Sequence, residues 1–599
     1  MWTNALGTPA IDPQANLQKA LAQCWHGARL LAGFGLVINL LYLVSPLYML
    51  QIYDRVLASQ RVETLVALTV VAGMALAIMG VLEMVNSRIQ TRMGNWLDRT
   101  LSGDLIHASV GAVLQGHAAN AQAVRDLGTI RGFVASGLRG FLDLPWMPLF
   151  IGAVWLIHST LGYFAAAAGL VLFLLALVNE LLARKPARQA NQSRVSNESI
   201  VEQAIRNADV LRAMGMLGRL VRLWNDANRE VLEQTRRAGD RNAVLFGMTR
   251  AARQFAQVGI LGLGAYFVIH GEMTAGAMIA ASILMGRALA PIEQVTGAWR
   301  NFQGTLAAHK RLKLLVGGTT AVERTMPLPA PKQAAIACEG IWFAPKPGLE
   351  PVLKSIDFKL AAGDSVALMG PSAAGKTTLC KVLVGSWKPN KGTVRLNGAD
   401  LHRWSADELG PHLGYLPQDV ELFAATVKEN IGRLQAEPDP AAVVTAARAA
   451  GVHEMILGLP QGYDTLIGPG GHFLSGGQRQ RLGLARALFG PNGALPAFIV
   501  LDEPNSNLDG AGEEALVAAI ETIKRAGSTL VLVTHNSRLL RSLDKVLMLN
   551  QGQMQAFGPR DEVLQSTRLK PVRLPLPDQA AERPDVAALR TVTPLRPGA

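Results

Sequence analysis

Between Leu144 and Asn179 the chain carries no Asp, Glu, Lys or Arg. A run that long suits two helices crossing a hydrocarbon layer of about 30 Å. "HSTLG", His158–Gly162, supplies the hairpin between them. Four further stretches obey the same length rule: Leu30–Leu50, Thr64–Leu82, Phe255–His270 and Met273–Ile292. The last two form a weaker pair, split by "GEM" and carrying Arg287 inside the second. Six spans result, all before about residue 292 of a chain of 599, and the mean hydropathy is accordingly positive. Leu30–Leu50 is too long and too far from the N-terminus for a signal peptide. No small-residue cleavage site follows it, so it reads as a retained span.

Loop charge sets the orientation. Arg184–Arg253 is dense in arginine, and the segment between the second and third spans carries Arg88, Arg92, Arg99, Arg125, Arg131 and Arg139. The alternate loops are short and nearly neutral. Both long loops, and with them both termini, are therefore expected in the cytoplasm. The same placement accounts for the net charge of +13: the surplus sits beside spans, where it faces membrane lipid and fixes topology. A nucleic-acid partner is not needed to explain it. The three cysteines, Cys24, Cys338 and Cys380, have no metal spacing and read as reduced structural thiols. Cys24 lies close to His26, but some thirty residues ahead of the first span cannot build a cysteine-peptidase domain.

The long cytoplasmic loops are rich in Ala, Leu, Arg, Glu and Gln, which predicts helices continuing well beyond the membrane. Read at helical period, Ile200, Ala204, Val210, Met214 and Leu217 fall along one stripe. Gly317–Gln333 is a Gly/Thr/Pro linker, and after Ala334 short β-branched runs alternate with helical ones, the pattern of an α/β domain. The expected organisation is a short cytoplasmic N-terminal segment (1–27), a six-helix transmembrane domain (28–315), a linker (316–333), an α/β nucleotide-binding domain (334–567) and a Pro-rich basic tail (568–599), read as disordered.

The chemistry lies in the second domain. Gly370, Pro371, Ser372, Ala373, Ala374, Gly375, Lys376, Thr377 and Thr378 fill the pattern G-x-x-x-x-G-K-[ST], after the strand-like "SVALM" and before the helical "TTLCKVLVG". Such a loop aims backbone N–H groups at a β-phosphate. Lys376 adds a cation between β- and γ-phosphates, and the Thr377 hydroxyl suits Mg²⁺. "FIVLDE" is an apolar strand ending in two carboxylates, which a cation or a proton must justify. Asp502 would hold Mg²⁺, and Glu503 would polarise the attacking water. His535 ends the buried run "TLVLVTH", from where it can reach a γ-phosphate, although a lone histidine is more often structural. A second anion-binding helix start, Leu474, Ser475, Gly476, Gly477 and Gln478, opens a basic, apolar-striped helix.

In this order, with Gln418 in "YLPQD" and Asp509 in "SNLD", the set resembles the ATP-binding-cassette ATPases over roughly Ala334–Thr567. The resemblance implies ATP and Mg²⁺ as cofactors, a place for Gln418 beside the metal and the reacting water, and Asp509 in the D-loop. It also implies that Leu474–Gln478 closes over the nucleotide of the other subunit in a head-to-tail homodimer. Two positions depart from the family pattern: Pro345 stands where an aromatic commonly stacks on adenine, with Trp342 and Phe343 nearby, and Pro469 replaces a glutamate ahead of the signature.

Six spans fused to a cassette look like an ABC exporter half-transporter. "SPLYMLQIYDRVLASQRVETLVALT", "RNADVLRAMGM", "GEMTAGAMIAASILMGRALAPIEQ" and "LDEPNSNLD" resemble the permease/ATPase of bacterial type I secretion systems, in the PrtD-type, metalloprotease-exporter branch. That resemblance implies an inner-membrane protein working with a periplasmic membrane-fusion adaptor, an outer-membrane channel of the TolC type and a secreted cargo with a C-terminal signal. Arg287 is expected to line the export path, against the alternative of snorkelling to the headgroups. An exporter of lipid or small amphipathic molecules shares the cassette and the spans. A cassette ATPase acting in translation or DNA repair has no spans and is excluded by hydropathy.

Overall fold

The computed structural model describes residues 13–115, 122–318, 328–346, 348–468, 471 and 473–568. Pro469, residues 319–327 of the linker and the tail from 569 onward lie outside the described residues. The chain falls into two compact units that part between Glu323 and Arg324.

The first unit is helical. Among the described residues six helices are long and apolar enough to cross a membrane: Gln14–Ser59, Val62–Leu114, Arg139–Ile157, Ser159–Val178, Phe246–Ile269 and Ala275–Gly317. The first begins as α1 (Pro13–Leu41), is interrupted at Tyr42 and Leu43, and resumes as α2 (Val44–Gln51). Pro46 explains the break, since it lacks the N–H that would bond the carbonyl of Tyr42. The second, α3 (Val62–Leu114), has 53 residues. At 1.5 Å per residue it is about 80 Å long, so over half of it extends past the hydrocarbon layer. α4 (Gln122–Gly132), α5 (Arg139–Asp143) and α6 (Met147–Ile157) follow, then α7 (Ser159–Arg206), which starts directly after an extended His158. The expected hairpin is thus narrower than "HSTLG": one residue turns the chain, and Ser159–Gly162 are already helical.

α7, the short α8 (Ala208–Ala213) and α9 (Leu217–Ile269) form a long hairpin. Here the structure corrects the helical stripe. The helix breaks at Asn207 and again at Met214–Met216, where Gly215 adopts φ +64°, so the phase is lost twice. Val210, Met214 and Leu217 are exposed, and Leu211 is the buried residue of α8. α10 (Ala275–Gly318) is the central helix of the unit and packs on α6, α9, α4 and α2. Its face supplies Ala281, Leu284, Met285, Ala288, Leu289 and Ile292 to a core completed by Phe150, Val154, Leu161 and Ile260. The helical part of the N-terminal segment is not loose: Leu17 and Ala20 pack on Leu97, Leu101 and Leu105.

The second unit joins two sheets. β1 (Ile336–Phe343), β2 (Leu353–Leu360), β4 (Lys391–Leu396) and β5 (Ala399–Asp400) form an antiparallel sheet in the order β2-β1-β4-β5. β3 (Ser365–Met369), β6 (Leu413–Leu416), β7 (Phe498–Asp502), β8 (Thr529–Val533), β9 (Lys545–Asn550) and β10 (Gln553–Pro559) form the other, in the order β10-β9-β3-β8-β7-β6. All its pairings are parallel except β9 with β10. β7 and β8 are buried throughout, which is why they read as unbroken apolar runs rather than alternating ones. In this register the C-terminal ends of β3, β7 and β8 finish side by side.

Candidate nucleotide site

β3 delivers the chain to Gly370 at the sheet's C-terminal edge, the usual place for a ligand in an open parallel sheet. Gly370 has φ +156°, and a Cβ there would lie 2.2 Å from the carbonyl oxygen of Leu549. Only glycine fits. The loop curls on through Ala373 (φ +63°) to Gly375, which caps α11 (Lys376–Leu383). Lys376 is buried and its ammonium donates to the carbonyls of Gly370 at 2.7 Å and Pro371 at 3.1 Å, holding the loop shut on itself. Ser372 and Ala373 remain exposed at its lip.

Asp502 closes β7 level with the end of β8, paired with Val533. It is 1% exposed, yet neither carboxylate oxygen has a hydrogen-bond partner among the described residues. Burial pushes its pKa up and Glu503 adds to this; the Thr377 hydroxyl and the ammonium groups of Lys376 and Lys381 oppose it. A buried carboxylate without donors is costly unless a cation completes it. Asp502 beside the Thr377 hydroxyl is a hard oxygen set of the kind Mg²⁺ takes, usually with retained waters and phosphate oxygens. The residues therefore fit the metal that the sequence implies.

Glu503 follows in the left-handed region, φ +48°, a strained conformation for a non-glycine residue. The strain is held on three sides. Its N–H donates to the carbonyl of Val533 at 3.2 Å, its own carbonyl accepts from Gln480 Nε2 at 3.1 Å, and its Oε2 accepts from Gln418 Nε2 at 3.0 Å. Gln418, just past β6, thus touches the carboxylate expected to act as base. His535 lies exposed two residues beyond β8. Thr534 beside it is fully buried, its hydroxyl accepting from the N–H of Asn536.

Two neighbours carried no local sequence signal. Tyr415 stands in register with Val500 on the strand next to Asp502, and its buried hydroxyl has no partner among the described residues. Burial, then Cys380 and Asp502, drive its pKa up. Gln480 links Glu503 to the Asn507 N–H, which donates to Gln480 Oε1 at 3.2 Å.

The signature is built as a capped helix start. Ser475 precedes α14 (Gly476–Leu488; the intervening short helices Val427–Ile431 and Pro440–Ala449 are α12 and α13). Its hydroxyl accepts from the Gln478 N–H at 3.2 Å, while Gln478 Oε1 accepts from the Ser475 N–H at 2.9 Å. This reciprocal box satisfies two helix-start donors and leaves the rest available. A Cβ on Gly477 would lie 2.8 Å from the carbonyl oxygen of Asn507, so the chain after Glu503 runs over the signature's own glycines. Leu474 packs with α12 and α13 in one core, whereas Ala374, Leu379 and Cys380 of the P-loop region belong to another. Asp509 accepts from the Gly512 N–H at 2.9 Å as the cap of the helix Gly510–Arg525.

Phe343 is occupied by the core: it stacks on Trp387 at 5.0 Å between centroids and 11° between planes, and Lys381 lies over Trp387 at 4.5 Å. Trp342, on the opposite face of β1, is half-exposed. In the membrane unit Arg287 is exposed, with its guanidinium 4.0 Å from the centroid of the Tyr42 ring.

A P-loop on a parallel sheet, an orphaned carboxylate beneath it and membrane-length helices on the same chain define an ATP-driven membrane transporter. Residues 353–506 match the ABC transporter family and residues 30–290 the ABC transporter transmembrane region, and the chain belongs to that family. It is 41% identical over 533 residues to the type I secretion system ATP-binding protein PrsD of Rhizobium meliloti (strain 1021), spanning 88% of this chain and 90% of that one. It is 28% identical to the toxin RTX-I translocation ATP-binding protein of Actinobacillus pleuropneumoniae, and 27% identical to the leukotoxin translocation ATP-binding protein LktB of Mannheimia glucosida, in each case over 88% of this chain and 75% of the relative. Its fold matches the structure of a bacterial Atm1-family ABC exporter with ATP bound at a TM-score of 0.78, over 92% of this chain and 97% of that one, at 20% identity.

Proposed function

We propose that the protein is the ABC component of a bacterial type I secretion system and uses ATP hydrolysis to export a protein across the inner membrane. The observation that carries the ATPase half is the orphaned Asp502 carboxylate beside Thr377, next to a glutamate held ready by Gln418. The export half rests on the six membrane-length helices and the identity to secretion ATPases. Glycine and serine N–H groups of Gly370–Thr378 cradle the β-phosphate, and Lys376 exchanges the loop carbonyls for phosphate oxygens. Thr377, Asp502 and Gln418 would hold Mg²⁺, which supplies charge neutralisation on the phosphates when bound. Glu503 accepts the proton of the attacking water, and His535 contacts the γ-phosphate from the neighbouring strand end.

The working unit on this reading is a homodimer, in which Leu474–Gln478 and the D-loop Asp509 of each subunit complete the partner's site. A periplasmic adaptor and an outer-membrane channel continue the path. Both termini and the ATPase unit face the cytoplasm on this reading, because the two long loops are the arginine-rich segments. Arg287 lines the path. The decisive experiment co-expresses the chain with an adaptor, a channel and a neighbouring Gly-rich cargo, and measures cargo in the medium. Export that requires this chain, and is lost with Lys376→Ala, supports the reading. Export that persists without the chain, or a chain that moves lipid in vesicles but no protein, overturns it.

A further inference from the structure

The membrane unit holds a polar constellation that ATP chemistry does not use. Four helices meet at Tyr42. Its hydroxyl donates to Glu83 of α3. Arg139 of α5 donates to the same Glu83 Oε1 at 2.8 Å and lies 3.8 Å from Asp143, which also accepts from Asn39 at 3.3 Å. Arg287 of α10 sits over the ring of Tyr42 at 4.0 Å. The carboxylates of Glu83 and Asp143 are thus engaged within the cluster. The Arg287 guanidinium has no carboxylate within salt-bridge distance among the described residues.

The backbone adds a second, independent sign. Pro46 lies four residues after Tyr42, and Pro291 four residues after Arg287, within α10. A proline at i+4 removes the N–H that a helical carbonyl would accept from. The carbonyls of both contacting residues therefore lose their helical donor; the first helix is interrupted at Tyr42, while α10 runs on past Pro291. Interrupted backbone at membrane depth is tolerated against protein or a water-filled cavity, not against lipid, and an unpaired arginine obeys the same rule. Two proline-freed carbonyls, on helices from opposite ends of the domain, belong to the two residues whose side chains meet, one of them an exposed cation.

We propose that Arg287, seated on Tyr42, is a binding station for carboxylate side chains of an extended polypeptide passing along the membrane path. This deepens the export reading above and rests on it. The five N–H donors of a guanidinium match a carboxylate in a two-bond fork, and the two freed carbonyls accept N–H groups of the passing main chain. Glu83, tied up by Tyr42 and Arg139, does not compete for Arg287. The station selects Asp and Glu over Asn and Gln.

The test is equilibrium binding of a fluorescein-labelled Gly–Asp repeat peptide, with a Gly–Asn peptide of equal length as control. The protein is the full chain in nanodiscs, in the Glu503→Gln background so that turnover does not release the peptide. Arg287→Ala and Arg287→Gln should weaken Gly–Asp binding about tenfold, the loss of one charge-assisted pair, while Arg287→Lys keeps part of it. A thermal melt and size-exclusion elution matching the parent's confirm that each variant is folded, in the membrane unit as well as the ATPase unit. Gly–Asp binding within twofold of the parent in either neutral variant overturns the station, as does equal binding of both peptides by the parent. The secretion assay judges the export reading separately, since cargo export can persist while this preference is absent.

Discussion

Replacing Glu503 with glutamine isolates the base from everything that positions it. The side chain keeps its length and planarity, the N–H still reaches Val533, and Gln480 still holds the carbonyl, so the φ of +48° is retained. The one side-chain contact, from Gln418 Nε2 at 3.0 Å, survives because either amide can turn its oxygen toward the other's nitrogen. What disappears is the proton acceptor. A positioned general base contributes about 10²–10⁴-fold, so the barrier should rise by about 3–5 kcal/mol with nucleotide affinity unchanged. Steady-state ATPase of the full chain in nanodiscs, measured beside the amount of trapped nucleotide, separates the two effects. Turnover should fall by at least about two orders of magnitude while trapped ATP, not ADP, accumulates. Glu503→Ala should lose turnover equally but trap less, because Gln418 is left without its partner. If Glu503→Gln hydrolyses ATP within a few-fold of the parent, the base is elsewhere and the geometry at the end of β7 has been misread.

Three other outcomes can be checked. Asp502→Asn should raise the melting temperature of the nucleotide-free protein while abolishing Mg²⁺-dependent ATP turnover. In the parent, a carboxyl pushed above its ordinary pKa by burial makes apo stability fall as pH rises through that raised value, and the asparagine variant should lack this dependence; a variant less stable than the parent at neutral pH would contradict the assignment. Arg311→Ala removes two donors, at 2.8 and 2.7 Å, from the 2%-exposed Asp126 and leaves it, among the described residues, only the Gln122 amide at 2.8 Å; since the Arg311 side chain is itself 42% exposed, the cost should be about 1–3 kcal/mol, most of it recovered by Asp126→Ala in the same chain, and equal destabilisation of single and double variants in thermal melts refutes the pairing. A mixed dimer of Lys376→Ala and Ser475→Arg subunits should trap about one ATP, since a twofold axis puts both defects in one composite site; no more trapping than in either mutant homodimer rules out sites shared across the interface.

The parts of this protein that could be read in advance are those whose physics is local. Membrane-length helices declare themselves by uncharged length, and β3, β7 and β8 by unbroken apolar runs, because each is buried on all sides. The P-loop is a backbone conformation, so its glycines and lysine must be contiguous. The failed stripe from Ile200 to Leu217 shows the opposite case: Gly215 and Asn207 reset the helical phase, and a periodicity count cannot register a reset without the backbone angles. The ties of Glu503 to Gln480, and of Tyr42 to Glu83 and Arg287, join residues distant in sequence, and nothing in either local stretch announces its partner.

Those distant ties also bear on how two sites in a dimer could be kept in step. Within one chain the segment from Glu503 to Asp509 is short and fixed at both ends. Gln480 of the signature helix holds the Glu503 carbonyl and the Asn507 N–H, Asn507 lies against Gly477, and Asp509 caps the next helix while Arg481 approaches it at 3.4 Å. A shift of the signature helix is therefore felt at Glu503, because Gln480 joins the two by direct hydrogen bonds and those contacts help hold the strained backbone of Glu503. In the head-to-tail dimer proposed above, that signature helix serves the partner's ATP while Glu503 serves its own. Opening of one site would then reach the base of the other chiefly through Gln480, a short link of side chain and backbone rather than a long-range rearrangement.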